Sequence, residues 1–436
     1  MTDLSEEIKN LSISNQKEVY SIVFIGHVDA GKSTICGQIL NQLDLIDKRT
    51  LDKYIKESIE KGRESWYLSW ALDTNPEERE KGKTTEVGRA FFELESKKIN
   101  ILDAPGHKMF VSDMIVGANQ ADIGILVVSA RINEFEAGFE KGGQTREHII
   151  LARAGKIKKI VVLVNKMDDE SVCWSENRFN EIKSKLSKFL QAIYNDSSIK
   201  YIPVSGYKGI NIKNRIDKSI CNWYNEESFL EYLNKIDFNR ERNVFVMSVA
   251  EKIKIMGNTM YSGKIESGIL NKNQKILILP KNSICTVLSI FDEEDMEIDQ
   301  ALLGDTIKIK FKENIEDVDT GDVFCDPSNH DFKIINEFTC GLTILESKNI
   351  FCVGYKPILH VRMVSKECKI LEIRTIINKK VVKKPFAKKG EKILAKIRVE
   401  TPIALLNCKD EDRTDKFALR DEGMTVAIGV VRNLIG

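Results

Sequence analysis

Gly26-His27-Val28-Asp29-Ala30-Gly31-Lys32-Ser33 follows the spacing G-x-x-x-x-G-K-S, and the apolar run Ser21–Ile25 stands directly in front of it. These residue types in this order make a cradle for a polyphosphate. The glycines let successive backbone N–H groups point into one concavity, Lys32 reaches the outer phosphates, and the Ser33 hydroxyl is a ligand for magnesium. Thr34 opens a helix-forming stretch, Thr34–Leu43, whose positive end faces the phosphates. The motif predicts a nucleoside triphosphate site over Gly26–Thr34 and leaves the base unnamed.

The base is read further along. Asn165-Lys166-Met167-Asp168 follows the apolar run Ile160–Val164. The Asp168 carboxylate can accept a pair of hydrogen bonds from guanine N1–H and the 2-amino group. Adenine lacks that donor pair, and a buried acceptor left unpaired discriminates by about 10⁴–10⁵-fold. The Lys166 stem can lie along the purine face, and a backbone N–H in Ser205-Gly206 can meet guanine O6. The site is therefore expected to take GTP and GDP.

Asp103-Ala104-Pro105-Gly106-His107 follows the apolar run Ile99–Leu102. Asp103 can hold magnesium through water, and Gly106 has no Cβ to stop its N–H from approaching a γ-phosphate. His107, directly after that glycine, is the candidate catalytic residue, placed to orient an attacking water. The charged stretch Asn75–Thr85 reads as a switch that orders with GTP and releases after hydrolysis. Thr84 is the favoured residue to complete the magnesium shell there, with Thr85 its adjacent competitor. Of the other histidines, His27 is expected only to shape the phosphate loop, and His148, His330 and His360 have no comparable setting. Gly142-Gly143-Gln144, at a helix start, needs no hydrolytic role.

These motifs must stand at the ends of strands. Apolar runs at Ser21–Ile25, Ile99–Leu102, Ile123–Ser129, Ile160–Val164 and Tyr201–Val204 alternate with helical stretches such as Gln144–Ala154 and Asn177–Tyr194. That alternation predicts a parallel sheet covered by helices, with ligands at the carboxyl ends of the strands. Residues 1–18 read as a flexible tail, 19–236 as the nucleotide-binding domain, and Tyr224–Phe238 as its end and a linker.

After Arg242 short strands follow one another: Val244–Val249, Met260–Ile265, Lys275–Leu279, Ile284–Ile290 and Thr306–Phe311. A break near Pro327–Asp331 precedes Phe338–Leu345, Ile358–Val364, Lys369–Ile377, Ile393–Val399, Lys416–Arg420 and Thr425–Val431. The two sets predict two small antiparallel β-barrels, at 237–330 and 331–436. The lysine-rich run Lys379–Lys392 fits a solvated hairpin or a phosphate-contacting patch.

Bulk composition narrows the function. The 436 residues exceed a single core. A net charge of +1 gives no global field for nucleic acid. The nine cysteines include no C-x-x-C pair, so zinc-ligand spacing is absent and a reducing compartment is expected. The polar start Met1–Glu7 does not fit a signal peptide, and no apolar stretch is long enough to cross a bilayer. The expectation is a cytoplasmic protein with no membrane association.

With these motifs assembled, the chain resembles translational GTPases of the elongation factor 1 alpha class, and most closely the eukaryotic class II peptide-chain release factors. The stretches that carry the resemblance are Ser65–Asn75, continuing through Gly82-Lys83-Thr84 and Glu86–Ala90, then Phe135–His148 and Phe417–Gly423. Aminoacyl-tRNA carriers typically have Gly-Ile-Thr where this chain has Gly82-Lys83-Thr84. The resemblance implies an α/β P-loop GTPase domain followed by two antiparallel β-barrels, the last docking a class I release factor. It also implies Mg2+-dependent GTP hydrolysis on the ribosome at a stop codon, by a monomer or a heterodimer with that factor. Alternatives are a ribosome-rescue GTPase that pairs with a Pelota-type factor, an aminoacyl-tRNA carrier, and a metabolic GTPase. Two departures stand out. Cys36 replaces an expected glycine after Ile35, and the predicted tail is far shorter than the N-terminal extension of many relatives, so extension-dependent functions are not expected.

Overall fold

The computed structural model describes residues 17–62, 66–72, 87–107, 111–140, 143–155, 157, 159–194, 196, 198–237, 244–255, 258–315, 317–345, 350–377, 380–407 and 415–435. The expected tail (all but its last two residues), the switch stretch Asn75–Thr85 with Thr84 and Thr85, and Gly142 lie outside them.

A six-stranded sheet forms the first body, from β1 (Glu18–Ile25), β2 (Gly88–Glu93), β3 (Lys97–Asp103), β4 (Ile123–Ser129), β5 (Lys159–Asn165) and β6 (Lys200–Pro203). Its order is β2-β3-β1-β4-β5-β6, parallel throughout except for the antiparallel β2–β3 edge. β4 is buried at every residue and β1 from Tyr20 onward, as a strand covered on both faces must be, which is why both read as unbroken apolar runs. The order reverses at β1: the chain leaves it for one side of the sheet and returns to the other. That switch point opens a crevice at the carboxyl ends of the strands.

Helices α1 (Lys32–Gln42), α2 (Lys48–Glu60), α3 (Val111–Gln120), α4 (Glu134–Phe139), α5 (Gln144–Ala154), α6 (Glu176–Tyr194) and α7 (Phe229–Lys235) complete this body. α7 lies inside the stretch expected to be a linker. Ser228 and Glu231 cap it reciprocally, and Phe229 stacks edge-on against Phe24 of β1 at 6.3 Å, so tertiary burial makes it part of the domain. Among the described residues, no helix is long and apolar enough to cross a membrane.

The first barrel closes six strands: β7 (Val246–Ile255), β8 (Asn258–Ser267), β9 (Lys275–Leu279), β10 (Ser283–Phe291), β11 (Thr306–Phe311) and β12 (Val323–Cys325), ordered β9-β12-β7-β8-β11-β10 and back to β9. The second closes β13 (Phe332–Ile344), β14 (Ile358–Val361), β15 (Val364–Ile377), β16 (Lys392–Leu406), β17 (Lys416–Asp421) and β18 (Met424–Ile435), ordered β14-β17-β18-β13-β16-β15 and back to β14. Buried residues alternate along β11 and most of β13, the period-two signature of a filled small barrel. The expected strand Ile358–Val364 is in fact two strands broken at Arg362-Met363, where Arg362 takes a φ of 50°. The lysine-rich run forms an edge strand, Lys380–Lys384, paired to β15. Lys383 pairs there with Glu372 at 2.5 Å, and Lys384 with Glu391 at 3.3 Å.

A small core of Val246, Leu279, Val323, Cys325, Phe332 and Ala404 is shared between the barrels. Arg362 joins all three bodies. Its Nε donates to Asp415 Oδ1 at 2.9 Å, its Nη1 donates to Ser248 Oγ of the first barrel at 3.3 Å, and its carbonyl accepts from the Asn119 amide of α3. Lys264 of the first barrel pairs with Asp122 at 2.7 Å, just beyond α3.

Candidate nucleotide site

The phosphate loop leaves β1 with its backbone forced by neighbours on both sides. Gly26 has a φ of 142°, and a Cβ there would lie 2.2 Å from the Val127 carbonyl oxygen of β4. Gly31 has a φ of 92°, and a Cβ there would lie 2.3 Å from Asn165 Nδ2. Only glycine fits either position. α1 starts at Lys32 immediately afterwards, so its free N–H groups face the loop's concavity.

One cleft is lined by Val28, Asp29, Gly31, Lys32, Ser33, Thr34, Gly106 and His107, together with Trp66 and Ser69. The structure thus brings the β1 and β3 motifs together at the carboxyl ends of these two neighbouring strands. Lys32 is 7% exposed, and its ammonium donates to the carbonyls of His27 at 3.0 Å and Gly26 at 3.3 Å. Burial pushes its pKa down, against the pull of Asp103 and Asp29. Asp103 is fully buried at the end of β3. A Cβ on Gly106 would lie 2.6 Å from Lys32 Nζ, so the bare backbone of Gly106 sits directly over the lysine.

Asn165 ties the two ends of the site. Its Nδ2 donates to the Ala30 carbonyl at 2.8 Å and its Oδ1 accepts from the Gly206 N–H at 2.8 Å. The phosphate loop and the Ser205-Gly206 loop are therefore both hydrogen-bonded to one amide. Asp168 pairs with Lys208 at 3.3 Å. Lys166 has a φ of 63° and its ammonium is held by Glu134 at 2.8 Å. Glu134 also accepts from Ser129 Oγ at 2.7 Å, which fixes the carboxylate that holds the lysine.

Sequence reasoning missed the rear of the phosphate loop. His148 Nδ1 accepts from the Gly26 N–H at 3.1 Å and Gln144 Oε1 from the Val28 N–H at 3.4 Å, both from α5. His148 is fully buried. Burial first, then Lys32, His27 and Arg420, push its pKa down to about 3, so it stays neutral and Nδ1 remains an acceptor. The spacing of Gln144 and His148, one helical turn apart, was the available signal. His27 is likewise pushed down, by burial and by Lys32.

The doubly wound sheet, its crevice and the trailing barrels define a GTP-binding protein of the elongation factor Tu type. The family model described as the elongation factor Tu GTP binding domain matches residues 17–266, and one described as the GTP-eEF1A C-terminal domain-like family matches residues 337–432. The chain is 46% identical over 446 residues to the eukaryotic peptide chain release factor GTP-binding subunit of Schizosaccharomyces pombe, covering 100% of this chain and 67% of that one. It is 46% identical over 428 residues to the Candida albicans protein of the same name, covering 96% and 60%. The chain belongs to the family of eukaryotic peptide chain release factor GTP-binding subunits, and it spans about 60–67% of the length of these relatives. The GTP-bound Ski7 GTPase-like domain of Saccharomyces cerevisiae shares the fold, with a TM-score of 0.78 at 17% identity over 97% of this chain and 98% of that one.

Proposed function

We propose that the chain hydrolyses GTP to GDP in partnership with a class I peptide-chain release factor, on the ribosome and in the cytoplasm, during translation termination. The observation that carries this reading is a single cleft joining the phosphate loop to Gly106 and His107, on a chain 46% identical from end to end to a release factor GTP-binding subunit.

In this reading the backbone of Gly26–Thr34 holds the phosphates, and Lys32 turns from the loop carbonyls to the β- and γ-phosphate oxygens. Asp168 accepts from guanine, Lys166 covers the base, and Gly206 meets O6 while Asn165 keeps both loops in register. The Ser33 hydroxyl and the buried Asp103 carboxylate are hard oxygen donors suited to magnesium, with Thr84 completing the set. Magnesium bound there withdraws charge from the phosphate oxygens. His107 orients the attacking water toward the γ-phosphorus, and Gly106 reports whether the γ-phosphate is present. Positioning and electrostatics then carry the hydrolysis. The second barrel docks the partner, and the chain works as a monomer or a one-to-one heterodimer.

A paired pull-down with purified class I release factor and with a Pelota-type factor tests the partner. GTP-strengthened capture of the release factor is expected, and preferential capture of the Pelota-type factor overturns the reading. His107→Ala is expected to keep GTP binding and lose ribosome-stimulated hydrolysis. Unchanged stimulated turnover removes His107 from the catalytic role.

A further inference from the structure

The segment Trp66–Leu72 contains none of the nucleotide motifs, yet Trp66 and Ser69 line their cleft. Leu68, Trp70 and Leu72 are 0%, 1% and 6% exposed and fasten it to the core. Trp70 meets Tyr54 of α2 edge-on at 6.1 Å, and Lys61 Nζ lies 5.3 Å above its ring. Ser69 Oγ donates to the Trp66 carbonyl at 2.9 Å, closing the turn. The Leu68 carbonyl presses on α1 at Gly37, where a Cβ would lie 1.9 Å from its oxygen. The segment is thus anchored to the helix whose first turn carries Lys32, Ser33 and Thr34.

Trp66 and Ser69, one turn apart, line the cleft together with Lys32, Ser33, Gly106 and His107. A large aromatic ring lining a polar cleft offers flat contact area at small entropic cost.

We propose that Trp66 is a nucleotide-contacting residue. Its ring walls the triphosphate side of the cleft, and this wall must part before the nucleotide leaves. The inference rests on the reading of the cleft as a GTP site.

The test follows release of a fluorescent GDP analogue chased with excess GDP, together with tryptophan fluorescence. Trp66→Ala is expected to speed release about tenfold, the scale of one lost aromatic contact. GDP addition is expected to change the tryptophan fluorescence of the wild type, and Trp66→Phe to abolish that change while Trp70, Trp174 and Trp223 remain. A wild-type release rate in Trp66→Ala, with the fluorescence response retained in Trp66→Phe, overturns the wall. Failure of the wild type to bind GDP overturns the GTP reading, and the wall with it.

Discussion

Asp168, the proposed base contact, carries a carboxylate that Lys208 meets at 3.3 Å. Asp168→Asn exchanges one acceptor for a donor and so complements xanthine. Competition binding should show the preference moving from GTP toward XTP, with GTP affinity falling by at least about a hundredfold. Retained GTP preference would contradict the base contact. His148 makes a second residue-scale prediction. An unfolded imidazole takes its proton near pH 6.5, whereas the folded one refuses it down to about 3. Below pH 6.5 the unfolded state therefore binds a proton that the folded state does not, and stability declines as pH falls. From pH 7 to pH 5 this group alone removes about 2 kcal/mol. His148→Asn places a non-titrating acceptor near the Nδ1 position, and urea unfolding at the two pH values should show a shallower decline. An unchanged slope would clear His148 of the effect. Beyond its one-turn spacing from Gln144, nothing local in the sequence marked this residue. Its hydrogen bond to Gly26 spans 122 positions, and a histidine on the buried face of a helix looks like any satisfied core residue.

α1 begins directly after Gly31 of the phosphate loop, and Gly37 on its side is where the segment Trp66–Leu72 touches it. Gly37→Ala forces a Cβ to within 1.9 Å of a backbone carbonyl oxygen. Overpacking of this kind costs about 1–3 kcal/mol, so the thermal midpoint should fall and GDP release should quicken together. A midpoint shift without faster release would detach the wall from nucleotide retention. Elements of the parallel sheet were legible where both faces are buried. β1, β4 and β5 are apolar runs because no residue along their cores meets water. β2 was not, since an edge strand with exposed Gly-to-Glu alternation carries little apolar signal. α2 was not either, for among its residues only Ser58 is buried. The turn at Arg362-Met363 sits inside an apolar run and has neither Gly nor Asn. Its positive φ is held by contacts from three bodies, which no local pattern encodes. The motif residues at strand ends were legible because their chemistry dictates spacing, while Thr84 lies outside the described residues.

At the scale of the whole molecule, Arg362 is the junction. It is 7% exposed, its guanidinium packs over the Phe332 ring at 4.8 Å, and it faces an Asp415 that is fully buried. Arg362→Ala leaves that carboxylate without its cation, and urea unfolding should show a loss of about 3–5 kcal/mol. Adding Asp415→Ala should recover part of it, because the double variant buries no orphan charge; full additivity would show that the pair is not coupled. The shared core of Val246, Leu279, Val323, Cys325, Phe332 and Ala404 lies between the same two barrels. Its consequence is thermodynamic. The barrels have no separate apolar boundary along this seam, so heat should melt them in one calorimetric event, and a protease that cuts between them in the native state should destabilise both together.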